Sequence, residues 1–157
     1  MSSSLAWKAV QSEFLFDGSW RDIYVLGTDM AGWQRMLDGL RSADYDLRYF
    51  RGNNPTELPA RAQDAFPNEC EDYPVLSVQF CGMLANCHLF SFEEIEFDVD
   101  PREVSGQAQL DALLEFMRCL AVAVGQDAIL CPENLPKSVI IRVTPEGRFE
   151  HHAVYAL

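Results

Sequence analysis

The chain has 157 residues and a formal net charge of −12, because 24 aspartates and glutamates outnumber 12 lysines and arginines. This acidity disfavours nucleic acids and anionic membranes as partners, since both are bound through clustered Lys and Arg side chains. A hydrophobic content of 48% is too high for a disordered acidic tail, and the length suits one domain over residues 1–157. We therefore expect a folded, acidic, globular domain.

A hairpin and a helix are predicted at the start of the chain. Short apolar runs at 13–16 and 22–26 flank the turn-prone Asp17-Gly18-Ser19, which predicts a β-hairpin. Thr28 or Asp29 then caps a helix. Its apolar residues recur on one face with a 3.6-residue period: Met30, Trp33, Leu37 and Leu40.

A strand and a long loop are expected next. Residues 44–51 alternate between polar and apolar side chains, which is typical of a half-buried strand. Residues 56–74 are rich in proline, so we expect mostly loop there, with two helical turns within 60–66. The apolar side of the strand is formed by Tyr45, Leu47 and Tyr49.

The centre of the chain predicts a second hairpin, in which Gly82-Met83 joins 75–81 to 84–92 through a type II′ turn. With Cys81 opposite Leu84, one face of this hairpin is entirely apolar, and a slip of one residue would mix the faces. The apolar face contains Leu76, Val78, Phe80, Ala85, Cys87 and Leu89. The polar face contains Ser77, Gln79, Asn86 and His88.

The alternation continues to Asp100. Fully extended, residues 84–100 would span roughly 55 Å, which is longer than a small domain is wide. The strand must therefore bend or bulge, and we expect this near 91–93. Its even-numbered side presents a run of aromatic and acidic residues: His88, Phe90, Phe92, Glu94, Glu96, Asp98 and Asp100.

The last third predicts a long helix over 106–124, capped by Ser105 and ended by Gly125. A short strand at 128–131 and a hairpin formed by 138–144 and 148–155 follow it. The whole pattern predicts an α+β fold. We expect a mostly antiparallel β-sheet of about six to eight strands with two main helices packed on it.

The N-terminus lacks the pattern of a secretory signal, and the apolar stretch 113–124 is too short to cross a bilayer. We therefore expect a cytoplasmic protein. An odd number of cysteines with no C-x-x-C pair suits neither a disulfide framework nor a zinc site, so reduced thiols are expected. The cysteines are Cys70, Cys81, Cys87, Cys119 and Cys131.

The acidity is concentrated between residues 66 and 103, which contain nine acidic residues and one basic residue. Carboxylates at every second position of a strand share one face and project a negative potential. This pattern suits a docking surface for a basic protein, although a solvated strand face and a divalent-cation site remain alternatives. The candidate partner-binding residues are His88, Phe90, Phe92, Glu94, Glu96, Asp98 and Asp100.

Enzymatic chemistry has weaker support. The alternative function is a small enzyme or metal-binding domain that uses His88 with Glu94 or Glu96, but His88 equally suits a hydrogen-bonded imidazole on the strand face. His151 and His152 are adjacent, so on a strand they point to opposite faces. No phosphate-binding loop or nucleophile motif is present in the sequence. We expect no enzyme, no metal and no cofactor, and a homo-oligomer paired through an open sheet edge is a further possibility.

Two regions resemble the immunity proteins that bacteria encode beside polymorphic or contact-dependent toxins. They are residues 22–34, DIYVLGTDMAGWQ, and residues 94–103, EIEFDVDPRE, which the long helix and Pro132-Glu133-Asn134 follow. The resemblance implies a small acidic cytoplasmic domain that binds and blocks one cognate toxin. It also implies acidic and aromatic side chains that mimic a polyanionic substrate or plug a basic cleft.

Overall fold

The computed structural model describes residues 4–67 and 73–155 of the chain. Two long helices dominate its helical part. The first begins after Asp29, whose side chain accepts a hydrogen bond from the Gly32 amide at 2.8 Å, as a helix N-cap does. In these described ranges the four α-helices are α1 (Trp7–Val10), α2 (Met30–Ser42), α3 (Ala62–Ala65) and α4 (Gln107–Val124). A single 3₁₀ turn follows α1 at Gln11–Phe14, and another precedes α4 at Pro101–Glu103.

Within the described residues, nine strands form one sheet in which every neighbouring pair is antiparallel. The predicted α+β class is confirmed, and the sheet is larger than the six to eight strands expected. In chain order the strands are β1 (Arg21–Leu26), β2 (Asp46–Arg51), β3 (Asn54–Thr56), β4 (Pro74–Phe80), β5 (Met83–His88), β6 (Glu94–Val99), β7 (Ala128–Pro132), β8 (Ile141–Val143) and β9 (Phe149–His151). Their order across the sheet is β3-β2-β4-β5-β6-β1-β7-β8-β9.

The core lies between one face of the sheet and the helices α2 and α4. Phe116 of α4 stacks on Phe80 at 4.7 Å between ring centroids and meets the edge of Phe97 at 5.1 Å. Both predicted main helices are confirmed. Gly125 ends α4 in a left-handed conformation with φ 81°, and Gly106, not Ser105, lies at its N-cap.

The predicted N-terminal hairpin is wrong. Residues 11–14 form a 3₁₀ turn in place of a strand, because the buried guanidinium of Arg21 binds the carbonyl oxygens that a strand would have offered to its neighbour. Arg21 donates to the carbonyls of Glu13 and Leu15, each at 2.9 Å. Strand β1 pairs instead with β6 and β7.

The central hairpin has the predicted faces but another turn. Cys81 and Gly82 form the loop with φ 49° and 75°, which is the type I′ pattern of two positive φ angles. Phe80 therefore pairs with Met83, not with Ala85. Relative to the predicted register, the two strands are displaced by two residues. Because side chains alternate between faces with a period of two, every side chain keeps its face. The turn moves because Met83 is buried, 3% exposed, and belongs to the strand.

The bend expected near 91–93 is a complete reversal of the chain. Strand β5 ends at His88 and β6 begins at Glu94, and the two strands pair with Asn86 opposite Asp98. An antiparallel return satisfies the backbone groups of both strands within the width of the fold. The long strand is thus two strands, and Phe92 leaves the face that it was predicted to share with the carboxylates of β6, because it packs on the core residue Phe66.

The C-terminal third follows the prediction, although the two strands of the final hairpin are shorter than expected. Strand β7 and the β8–β9 hairpin occupy the predicted segments. On the sheet face away from the helices, Val139 packs on a small apolar cluster formed by Tyr24, Ile129 and Cys131. In the described ranges, no helix combines the length and the apolar character that crossing a membrane requires.

Candidate functional site: an acidic pocket

The sheet face opposite the helices carries a cavity of about 460 Å³. Its floor is made of side chains from the middle strands, and its walls come from three loops. The floor residues are Asp22 of β1, Val75 of β4, Asn86 and His88 of β5, and Glu96 and Asp98 of β6. The wall residues are Trp20, Phe90, Glu133 and Asn134. We call this cavity the acidic pocket.

Antiparallel register assembles the floor. Ser77, Asn86, Asp98 and Asp22 are successive cross-strand partners on four adjacent strands, so their side chains form one row. The Ser77 hydroxyl donates to Asn86 Oδ1 at 2.7 Å, and Asn86 Nδ2 lies 3.4 Å from Asp98 Oδ1. The row brings two carboxylates, Asp98 and Asp22, directly opposite each other, an arrangement that destabilises a sheet.

His88 is bound into this row. Its Nε2 lies 2.6 Å from Asp98 Oδ2, and its ring stacks on Phe90 with an interplanar angle of 5° and 5.3 Å between centroids. The hydrogen bond to Asp98 raises the pKa of His88, while burial opposes the increase. The side chain keeps 30% of its surface exposed, so protons from solvent reach it.

Two carboxylates of the pocket, Asp22 and Glu96, have raised pKa values. Asp22 is 2% exposed and accepts hydrogen bonds from the Tyr24 hydroxyl at 2.9 Å and the Asn134 amide at 2.8 Å. Burial is the largest cause of its raised pKa, and Asp98 adds to it. Burial also raises the pKa of Glu96, with a contribution from Asp22. Shifted carboxylates in a cleft are typical of functional sites.

The walls are held by contacts between distant parts of the chain. The Trp20 amide donates to Glu133 Oε1 at 2.8 Å, which joins the segment before β1 to the loop after β7. Arg21 is fully buried and donates to the Trp20 carbonyl at 3.2 Å from behind the wall. On the opposite wall, Phe90 is 73% exposed. The rim therefore presents two aromatic side chains, one of them almost free of protein contact on its outer surface.

Four of the predicted partner-binding residues line the acidic pocket: His88, Phe90, Glu96 and Asp98. The other three do not line it. Glu94 starts β6 beyond the lining, and Asp100 follows β6, where it pairs with Arg102 at 2.9 Å. Phe92 is separated from the acidic side chains of β6. Its ring is in edge contact with the core residue Phe66, with 4.6 Å between the ring centroids.

Sequence reasoning did not name six lining residues of the pocket as site residues: Trp20, Asp22, Val75, Asn86, Glu133 and Asn134. Val75 and Asn86 lie in the predicted central hairpin. Asp22 lies in a strand that the sequence places in a different hairpin, and Trp20, Glu133 and Asn134 lie in loops. Their position depends on β1 lying between β6 and β7. The alternation of β1 was the one available signal, because it separates Asp22 from the buried Ile23.

Within the pocket, the partner of His88 is Asp98, not Glu94 or Glu96. The other histidines and the described cysteines do not line the pocket. His151 binds the buried Glu13 at 2.8 Å, whereas His152 is an exposed side chain near Glu150. In the described parts of the chain, no group of three or more His, Cys, Asp or Glu is placed to hold a metal ion. Cys81, Cys87, Cys119 and Cys131 are free thiols, and Cys70 lies outside the described residues.

The chemistry of the acidic pocket suits a cationic guest. Four carboxylates, those of Asp22, Glu96, Asp98 and Glu133, face a cavity between aromatic side chains. Among the described residues that line it, only His88 can carry a positive charge. No family model, curated protein or solved structure matches this chain.

Proposed function

We propose that this protein is a non-enzymatic binding protein whose acidic pocket accepts an arginine or lysine side chain of a basic protein partner. The observation that carries the proposal is the convergence of Asp22, Glu96, Asp98 and Glu133 on one cavity. Two of these carboxylates have raised pKa values, so their negative charges are incompletely compensated within the fold. A cation from outside would supply the missing compensation.

The aromatic rim supports the same guest. A guanidinium or ammonium group over an aromatic face gains a cation–π interaction, and the gain increases as the pair is desolvated. Trp20 and the 73% exposed Phe90 both line the pocket together with the carboxylates. Large exposed aromatic residues beside a pocket are common anchors of protein interfaces.

We further propose that the partner is a toxin encoded beside this protein and blocked by it in the bacterial cytoplasm. The resemblance to immunity proteins supports this role, because its stretches 22–34 and 132–134 contain three residues of the pocket: Asp22, Glu133 and Asn134. The net charge of −12 would also accelerate association with a basic toxin.

The pocket is tested by calorimetric titration with acetyl-Arg-Arg-amide at low ionic strength. The double variant Glu96→Gln/Asp98→Asn should bind the peptide at least about tenfold more weakly than the wild type, because two of the four carboxylates lose their charge. The matched control, Glu57→Gln/Asp64→Asn, removes two exposed charges that do not line the pocket. It should bind within about twofold of the wild type.

Equal loss in both double variants would mean that only the net charge matters and would contradict the pocket. Equal binding of the neutral acetyl-Gln-Gln-amide would contradict the cationic guest. Circular dichroism of each variant checks that its fold is intact.

The toxin role is tested by co-expression with the effector gene that lies next to this one. The wild type and the control double variant should allow growth, and Glu96→Gln/Asp98→Asn should not. Growth arrest with the wild type would contradict the role as an immunity protein, and full protection by the pocket variant would show that the pocket is not the inhibitory site.

A further inference from the structure

We propose that His88 is a pH switch of the acidic pocket, whose protonation opposes the binding of a basic side chain so that affinity increases as the pH rises. This inference rests on the proposed function of the same pocket. It concerns the regulation of the site and adds no second site.

The geometry makes His88 a competitor of the guest. Its Nε2 lies 2.6 Å from Asp98 Oδ2. When the imidazole is protonated, this contact is an ion pair, and it occupies a carboxylate oxygen that a guanidinium or ammonium group would use. The positive ring is also stacked on Phe90, so it repels a cation that approaches the exposed surface of this aromatic side chain. Protonated His88 and the guest therefore compete for Asp98 and repel each other.

The charges that face His88 come from three neighbouring elements. Asp98 and Glu96 project from β6, Asp22 from β1, and Glu133 from the loop after β7. On the other side β4 contributes the neutral Val75, which is the cross-strand partner of His88. Every charged side chain among these neighbours of His88 is therefore acidic. Consistent with this, the hydrogen bond to Asp98 raises the pKa of His88 above the ordinary value of 6.5.

The direction of the pH effect follows from linkage. A bound cation repels the protonated ring and withdraws Asp98 from it, so binding releases the proton of His88. Affinity then increases by at most about tenfold per pH unit while free His88 is protonated, and it becomes constant above the titration. Asp22 and Glu96 also have raised pKa values. A variant of His88 keeps both carboxyl groups, so its comparison with the wild type isolates the contribution of the imidazole.

The experiment is a calorimetric titration of the full chain with acetyl-Arg-Arg-amide at several values between pH 5.5 and 8.5, where the peptide charge is constant. Wild-type affinity should increase about three- to tenfold over this range. His88→Gln should show a nearly constant affinity. His152→Gln, which removes an exposed histidine outside the pocket, should behave as the wild type does.

A second measurement uses the wild type alone. The NMR titration midpoint of the His88 ring should move to lower pH when the peptide is bound. An unchanged or higher midpoint would overturn the inference, as would a pH dependence that His88→Gln retains. Binding that is independent of pH would refute the switch and leave the pocket intact. Absence of peptide binding at every pH would instead refute the proposed function.

Discussion

Glu13 and Arg21 are charged side chains with no exposed surface. Together they connect the segment before β1 to the last described residues of the chain. The Glu13 carboxylate accepts hydrogen bonds from the amides of Val154 and Tyr155 and binds His151. The Tyr155 ring lies 4.2 Å from the Arg21 guanidinium carbon. Because Arg21 also binds the Trp20 carbonyl, this arrangement supports one wall of the acidic pocket.

At the scale of single residues, we predict that Glu13→Gln lowers the free energy of unfolding by about 2–4 kcal/mol. The amide oxygen can take the Oε1 position and keep both backbone N–H donors, but these charge-assisted hydrogen bonds become weaker neutral ones, and the NH₂ group replaces the Oε2 atom that His151 binds. Urea denaturation measures the loss, and hydrogen exchange should become faster at Val154 and Tyr155. The control Glu146→Gln changes an exposed carboxylate and should stay within about 0.5 kcal/mol of the wild type. A similar small change for Glu13→Gln would contradict the anchoring role.

At the scale of elements, α2 and α4 are in tight contact at Gly39. A Cβ atom placed on Gly39 would lie 2.8 Å from the Cβ of Ala123, which is closer than two side-chain carbons pack. A glycine inside a helix costs about 0.5–1 kcal/mol relative to alanine. This cost is offset because the close approach lets the apolar faces of both helices pack on the sheet.

Gly39→Ala should therefore destabilise the protein by about 1–3 kcal/mol despite the better helix propensity of alanine. Ala123→Gly alone should cost about 1 kcal/mol. The double variant Gly39→Ala/Ala123→Gly should recover most of the stability lost by Gly39→Ala, because the contact becomes a glycine–alanine pair again. A double-mutant cycle from thermal unfolding measures the coupling. Strict additivity would show that this contact does not set the distance between the helices.

At the scale of the whole molecule, the acidic pocket reduces stability. The raised pKa of Glu96 means that folding favours its protonated form. Its contribution to stability is therefore present below the ordinary value of 4.5 and is lost as the pH rises through the higher value in the folded state. Function and stability oppose each other here, since the charge that would bind a cation is the charge that the empty fold disfavours.

Glu96→Gln should accordingly stabilise the protein at pH 8 by up to about 1 kcal/mol. The gain should disappear near pH 3, where Glu96 is protonated in both states, and it should decrease as salt screens the pocket. Urea denaturation at the two pH values measures the difference, with Glu57→Gln as the exposed control. A destabilised Glu96→Gln at pH 8 would contradict the cost assigned to this carboxylate.

The sequence by itself determined the elements whose patterns are local. The 3.6-residue period predicted α2 and α4, and the alternation predicted which residues of β4, β5 and β6 face the core, since these signals come from neighbours along the chain. Even the misplaced turn at Gly82-Met83 left the polar face intact, with Asn86 and His88 on it.

Only the tertiary structure decided which polar residues meet. The reversal after His88 placed that imidazole beside Asp98. The position of β1 between β6 and β7 brought Asp22 opposite Asp98 and placed Glu133 at the rim. Strand pairing depends on backbone hydrogen bonds, which are the same for every residue type, and on packing between distant segments. For that reason the sequence predicted an acidic strand face, and the fold made it a pocket.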